Sequence, residues 1–309
     1  MQYILSGGVY PPLPTFFDEQ ENLDIATLQL HMQNLQESGI AGYVLLGSNG
    51  ESVHVTPEER SHLVRAAKEV TGDSEDSMPL IVGCGDQGTR TTIAHCQAAA
   101  SCGANIALIL PPFYFRSQMD SQALLAHYRA IAESSPIPIL LYNMPANAAN
   151  LDLSAELICT LAEHPNVVGL KESSGNVAKI AYIVSKTAPN FRVFAGSASF
   201  LLPSLAIGAF GTVAALANLF PHEVCLVQAL FEAGQIEEAR TLQARLIPAN
   251  TAITTTYGVP GLKVALELLN GYGGRPRMPL QPINEHERGT LERILNATRL
   301  DAETDTQHV

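Results

Sequence analysis

The sequence predicts an α/β protein, a (β/α)8 TIM barrel with a C-terminal helical extension. Three observations carry this: eight short apolar or β-branched runs, helical patterns in nearly every gap between them, and run starts spaced roughly 20 to 40 residues apart. About 220 residues for eight such units suits a closed barrel better than an open doubly wound sheet.

The runs are residues 9–15, 42–46, 80–82, 106–110, 139–143, 167–171, 192–195 and 211–214. Several are nearly continuous in apolar residues, as expected of parallel strands covered on both faces. After the first run, Asp24 stands as an N-cap before Leu28, Met32 and Leu35, which share one helical face. After the second, Thr56, Pro57 and Glu59 join a cap, a first-turn proline and a capping-box acid, and Leu63, Ala67 and Val70 follow at helical spacing. Ser154 caps a segment carrying Leu157, Ile158 and Leu161. Past residue 233 the character changes: 235–255 and 261–269 read as helices, Gly271 to Gly274 as a stop, and no further strand follows. The expected division is a barrel over 1–233 and a helical extension over 234–309, with a polar tail from 299 that frays.

With 309 residues, 46% hydrophobic and 16% charged, the composition is that of a globular chain and excludes a disordered one. Against 30 acidic residues stand 18 basic ones, for a net charge of -12, and no basic patch forms, so nucleic acid is not an expected partner. The apolar runs stop far short of the roughly 20 residues that cross a bilayer, so no membrane partner is expected. The first residues lack a basic n-region, an apolar h-region and an Arg-rich transit helix, which with five cysteines and no CxxC gives a cytoplasmic, reducing location as the expectation.

Gly83, Gly85 and Gly88 form a GxGxxG between a strand and a helix. The acidic residue that a dinucleotide site needs about 20 positions on is missing, so the glycines read as a tight turn. The nine histidines form no HxH or HExxH, and no GxSxG is present, which argues against metal chemistry and a serine hydrolase.

The five lysines are more informative. Lys68, Lys179, Lys186 and Lys263 fall in predicted helices and read as solvated, whereas Lys171 ends the run 167–171. There it would face the barrel mouth, where burial favours the neutral amine that attacks a ketone to form a Schiff base. A lysine paired with Glu172 is the bland alternative. Tyr142 ends the preceding strand and would set a phenol beside that amine, fit to move protons. Gly47, Ser48, Asn49, Gly50 and Glu51 follow the second strand. The two glycines expose backbone N–H groups, and Ser48 and Asn49 add hydrogen bonds, which together suit a substrate carboxylate; a plain turn explains the loop nearly as well.

Together these residues resemble the dihydrodipicolinate synthase and N-acetylneuraminate lyase family of class I pyruvate aldolases, whose patterns include GxxGE, YNxP and GxK. Here they stand as Gly47 to Glu51, Tyr142 to Pro145 and Gly169 to Lys171. The likeness runs over about residues 8 to 295 and includes Pro111, Pro112, Phe113 and Tyr114. The resemblance implies Lys171 as the Schiff-base lysine, Tyr142 as proton shuttle and Ser48 as its hydroxyl relay. Tyr114 would join the relay from a neighbouring subunit, which implies a homo-oligomer, usually a dimer of dimers. Gly47, Ser48, Asn49, Asn147, Ser173, Gly196 and Ser197 would bind a small 2-oxo acid, Asn49 at its pyruvyl carboxylate and Ser173 at its distal end. No metal and no cofactor beyond the covalent lysine imine are implied.

The synthase branch usually carries an arginine where this chain has Asn147, which speaks against dihydrodipicolinate synthesis. The GSNGE loop, residues 145–147 and Ser173 look closer to 4-hydroxy-2-oxoglutarate aldolase, which releases pyruvate and glyoxylate. The animal enzymes of that branch are mitochondrial, so the missing transit pattern is a departure. A 2-keto-3-deoxy sugar acid aldolase shares much of this pattern and stays open, as does a sugar-acid-binding regulatory protein that keeps the barrel without turnover.

Overall fold

The computed structural model describes residues 5–74 and 77–299; the expected fraying of the tail past 299 lies outside them. Eight strands form one parallel sheet: β1 (Gly8–Tyr10), β2 (Tyr43–Leu45), β3 (Leu80–Gly83), β4 (Ile106–Ile109), β5 (Ile139–Asn143), β6 (Val167–Glu172), β7 (Arg192–Ala195) and β8 (Gly211–Val213). Pairing runs in order around the ring from β2 through β8 to β1. The ring closes between β1 and β2, where Val44 N–H donates to the Pro11 carbonyl at 3.0 Å and Leu13 N–H to the Val44 carbonyl at 2.8 Å. The first strand is shorter than the predicted 9–15 because Pro11, Pro12 and Pro14 have no N–H for a ladder.

Helices α1 (Ile25–Gln36), α2 (Pro57–Thr71), α3 (Thr89–Ser101), α4 (Ser121–Ser134), α5 (Ala155–Leu161), α6 (Val177–Lys186), α7 (Leu201–Ala206) and α8 (Pro221–Glu232) alternate with the strands. Their starts follow the sequence signals. The Asp24, Thr56 and Ser154 side chains accept the N–H groups of Thr27, Glu59 and Leu157, and Glu59 completes the capping box. Strand residues divide between two cores. Tyr10, Val44, Ile81, Leu108, Leu140 and Phe194 fill the barrel, while Val9, Leu45, Val82, Ile109, Leu141 and Val193 pack outward against the helices. Each fully buried aliphatic chain contributes roughly 1.5–3 kcal/mol.

Strand β6 departs from simple alternation. Ile139 pairs with Val167 but Leu140 with Gly169, so one residue of β6 is extra. Val168 faces the barrel interior and Leu170 the helices, although they are two apart. Without that bulge the strand's period of two would turn Lys171 outward; with it Lys171 points into the barrel. Gly169 is required there, since a Cβ would collide with the Arg192 carbonyl oxygen.

The extension comprises α9 (Ile236–Thr251), a π-turn over Ala252–Thr256, α10 (Gly258–Asn270) and α11 (Glu285–Thr298). The single helix expected over 235–255 is instead α9 followed by the π-turn, and the structure adds α11, whose start Asn284 and Glu287 mark with a capping box. Helix α9 is bonded to the β7–α7 turn. The Gln243 side-chain amide donates to the Ala198 carbonyl at 2.5 Å, and the Asn250 amide to the Ser197 and Ser199 hydroxyls at 2.9 and 2.6 Å. Among the described residues no helix is long and apolar enough to cross a membrane. Cys84, Cys96 and Cys102 are buried, Cys159 and Cys225 half-buried, and all five are free thiols.

Candidate active site

The register of β5 and β6 sets Tyr142 opposite Lys171 at the C-terminal ends of the strands. Lys171 is 3% exposed, and its Nζ lies 4.1 Å from the centroid of the Tyr142 ring. The Tyr142 and Ser48 hydroxyls are 3.4 Å apart. These three side chains line one cavity of about 580 Å³ at the barrel mouth, as Asn49, Asn147, Ser173, Gly196 and Ser197 do. A larger groove of about 800 Å³ opens at the opposite end, around Gly7, Phe210 and Leu226, away from all of them.

Among the described residues no carboxylate lies within 4.0 Å of the Lys171 amine. Glu172, the partner considered from sequence, is turned away. It accepts from the Asn143 amide at 2.9 and 3.0 Å and from Ser174 N–H at 2.6 Å, and pairs with Lys179 Nζ at 3.3 Å. Lys179 also meets Asp152 at 2.6 Å. Lys179 is therefore not the solvated helix lysine expected, because its side chain is largely buried and its head is drawn to two carboxylates. This cluster braces the ends of β5 and β6 behind the amine and leaves the amine itself without a counter-charge.

The loop after β2 is bracketed by two left-handed residues, Leu46 (φ 54°) and Glu51 (φ 50°). Gly50 N–H and Glu51 N–H are bonded within the turn, and Gly50 is crowded by the backbone of Leu46 and Leu13. The Thr15 hydroxyl donates to the Gly50 carbonyl at 2.6 Å. Among the described residues the N–H groups of Ser48 and Asn49 donate to no protein acceptor, so two adjacent donors remain for an anion. Gly47 lies instead on a neighbouring cavity of about 370 Å³ that shares Ser48 and Tyr142.

Lys263 also departs from the solvated reading. It is fully buried on α10, where its Nζ meets Glu51 Oε1 at 2.6 Å and donates to the Arg275 carbonyl at 2.8 Å. Burial lowers its pKa below the ordinary lysine value and the Glu51 carboxylate opposes the shift.

On the distal side Gly196 makes room for Ser173, whose hydroxyl a Cβ at 196 would strike. The Ser197 hydroxyl accepts from Ser199 N–H at 3.2 Å as well as from Asn250, which leaves its own O–H to donate into the cavity. Lys171 is the one basic residue lining this cavity among those described. Asn250, Ser199 and Thr254 were not foreseen as lining residues, since they come from the extension and from a turn with no motif. Tyr114 stands outside the cavity, 77% exposed and edge-on to Phe115 at 5.1 Å. Gly83 and Gly85 serve close strand approach, because a Cβ on either would collide with the backbone of Leu46 or Leu110.

Comparison with known proteins fits this geometry. Residues 5–298 match the dihydrodipicolinate synthetase family. The chain is 40% identical over 302 residues to a probable mitochondrial 4-hydroxy-2-oxoglutarate aldolase of Emericella nidulans, covering 97% of both chains. It is 35% identical to an L-threo-3-deoxy-hexylosonate aldolase of Hypocrea jecorina, covering 92% of this chain and 93% of that one. A solved dihydrodipicolinate synthase of Bacillus anthracis superposes with a TM-score of 0.89 at 29% identity, covering 96% of this chain and 99% of the other. With its barrel, its strand-end lysine and tyrosine, and this likeness along nearly its whole length, the chain belongs to the dihydrodipicolinate synthetase family and is a carbon–carbon lyase of the class I aldolase type.

Proposed function

We propose that the protein cleaves a 4-hydroxy-2-oxo acid to pyruvate and an aldehyde through a Schiff base on Lys171. One observation carries the reading: a buried amine with no acidic partner, against the ring of a tyrosine whose hydroxyl reaches a serine, in one cavity. The Lys171 nitrogen attacks the C2 ketone, and loss of water gives an iminium that serves as electron sink. Tyr142 takes the C4 hydroxyl proton as the C3–C4 bond breaks; the aldehyde leaves and an enamine of pyruvate remains. Protonation at C3 and hydrolysis release pyruvate and restore the amine. Ser48 passes protons to and from Tyr142, and the N–H groups of Ser48 and Asn49 hold the substrate carboxylate. The iminium supplies the electron sink, so the cleavage as written uses no metal or further cofactor. The exposed Tyr114 and Phe115 support assembly into a dimer of dimers in which Tyr114 reaches a neighbouring site. Free thiols support a reducing compartment, with the cytoplasm as the location proposed.

For the aldehyde half, 4-hydroxy-2-oxoglutarate, giving glyoxylate, is favoured by Asn147, Ser173 and the 40% identical relative's name. A 2-keto-3-deoxy sugar acid is favoured by a different observation: among the described residues the distal wall offers hydroxyl and amide groups and no cation for a second carboxylate. Aldehyde release from a panel of 4-hydroxy-2-oxo acids, with Lys171→Ala as control, tests both. Turnover of at least one acid that vanishes in Lys171→Ala is expected. Binding without release across the panel would contradict the reading and favour a sugar-acid-binding protein.

A further inference from the structure

We propose that the extension positions the loop that holds the substrate carboxylate, through the buried pair of Lys263 on α10 and Glu51 at the loop's end. The inference rests on the reading of Ser48 and Asn49 as the carboxylate site. Glu51 follows Asn49 by two residues and is left-handed, a conformation a side-chain-bearing residue keeps only where its surroundings fix it. What fixes it comes mainly from the extension. One carboxylate oxygen meets Lys263 Nζ at 2.6 Å, and the other accepts Arg277 N–H at 2.9 Å and lies 3.1 Å from His54 Nδ1.

The segment after α10 is shaped to deliver these partners. Gly273 folds against α10, where a Cβ would collide with the Lys263 carbonyl oxygen, and the Arg275 carbonyl then caps Lys263 at 2.8 Å. The Arg277 guanidinium reaches the Glu59 carboxylate at 2.6 Å and the His54 carbonyl at 2.6 Å, so the chain is tied to the loop and to the helix behind it. A buried ion pair adds little net stability, because desolvation offsets its attraction. Its effect here is geometric: it sets the direction of the two N–H groups upstream, and anion binding by fixed donors depends on that direction. Lys263 and Glu51 touch no substrate and act as positioning residues.

The test uses the full-length protein and the variants Glu51→Gln and Lys263→Met. Borohydride trapping on Lys171 is titrated with pyruvate and, as a ketone without a carboxylate, with acetone. In both variants the pyruvate concentration for half-saturation is expected to rise about tenfold or more, with trapping at saturation retained and acetone trapping unchanged. Equal losses for pyruvate and acetone, or an unchanged half-saturation in a folded variant, would overturn the proposal. Glu51→Gln preserves shape and carries the test if Lys263→Met does not fold. In the wild type, imine formation with pyruvate should slow amide exchange over residues 272–278; unaltered exchange there overturns the coupling even if no variant folds. Absence of any trapping in the wild type would instead refute the Lys171 reading, and this inference with it.

Discussion

Lys171 and Lys263 are both buried, at 3% and 0% exposure, yet their surroundings differ in kind. On α10 the ammonium is bound to a carboxylate and a carbonyl, 2.6 and 2.8 Å away. At the end of β6 the amine faces an aromatic ring and a polar cavity, with the nearby acid, Glu172, taken up by Asn143 and Lys179. Burial therefore does not distinguish a structural lysine from a reactive one. The distribution of counter-charge does: one lysine is tied into the architecture, and the other, with no acidic partner among the described residues, is the one proposed to bond to substrate.

If that contrast is right, changes at the β6 rim act on chemistry and changes on the extension side act on geometry and stability. The largest effect is expected for Tyr142→Phe, with a fall in kcat of roughly 10²–10⁴, the range for loss of a proton-transfer group, while imine trapping on Lys171 persists at least in part. Steady-state turnover read beside trapping checks this, and unchanged turnover would remove Tyr142 from the mechanism. Gly169→Ala comes next. The added methyl should disturb the bulge that aims Lys171 inward, lowering stability by about 1–3 kcal/mol and reducing trapping at saturating pyruvate. A thermally weakened variant with full trapping would show that the bulge does not control the aim of the lysine.

The last expected effect concerns stability alone, at the point where α1 meets the segment after α10. His31 lies between Asn218 and Tyr272, and burial lowers its pKa to about 4 from the ordinary 6.5, partly opposed by the Asn218 bond. Because the folded state resists protonation that the unfolded chain accepts, stability is full above pH 6.5 and declines as the pH falls toward 4, by up to roughly 3 kcal/mol. Melting temperature measured across that window should drop less steeply in His31→Gln than in the wild type; parallel curves would assign the acid sensitivity to other groups.

Much of this was legible in sequence. All eight strands, and the helices begun by Asp24, Thr56 and Ser154, announce themselves through local signals, since Thr56, Pro57 and Glu59 act within one turn. Lys171, Tyr142 and Ser48 could be singled out because each ends or follows an apolar run, and the structure gathers them in one cavity. The roles of Lys179 and Lys263 could not be read. The partner of Lys263, Glu51, is 212 positions away by number, and the partners of Lys179 lie outside its own helix, while a helical lysine looks alike whether its head meets water or a buried acid. The bulge in β6 was masked by the continuous apolar run, in which alternation cannot be followed, although a glycine inside a strand is itself a sign of one. Asn250 and Thr254 of the distal wall come from α9 and its π-turn, which carry no motif.

The central claim concerns a single bond, and peptide mapping after reduction reads it directly. Protein incubated with pyruvate and borohydride should lose activity and carry one reduced three-carbon adduct, on the peptide that contains Lys171 and on none that contains Lys263. A protein that stays adduct-free and active, or an adduct found on another lysine, would contradict the account.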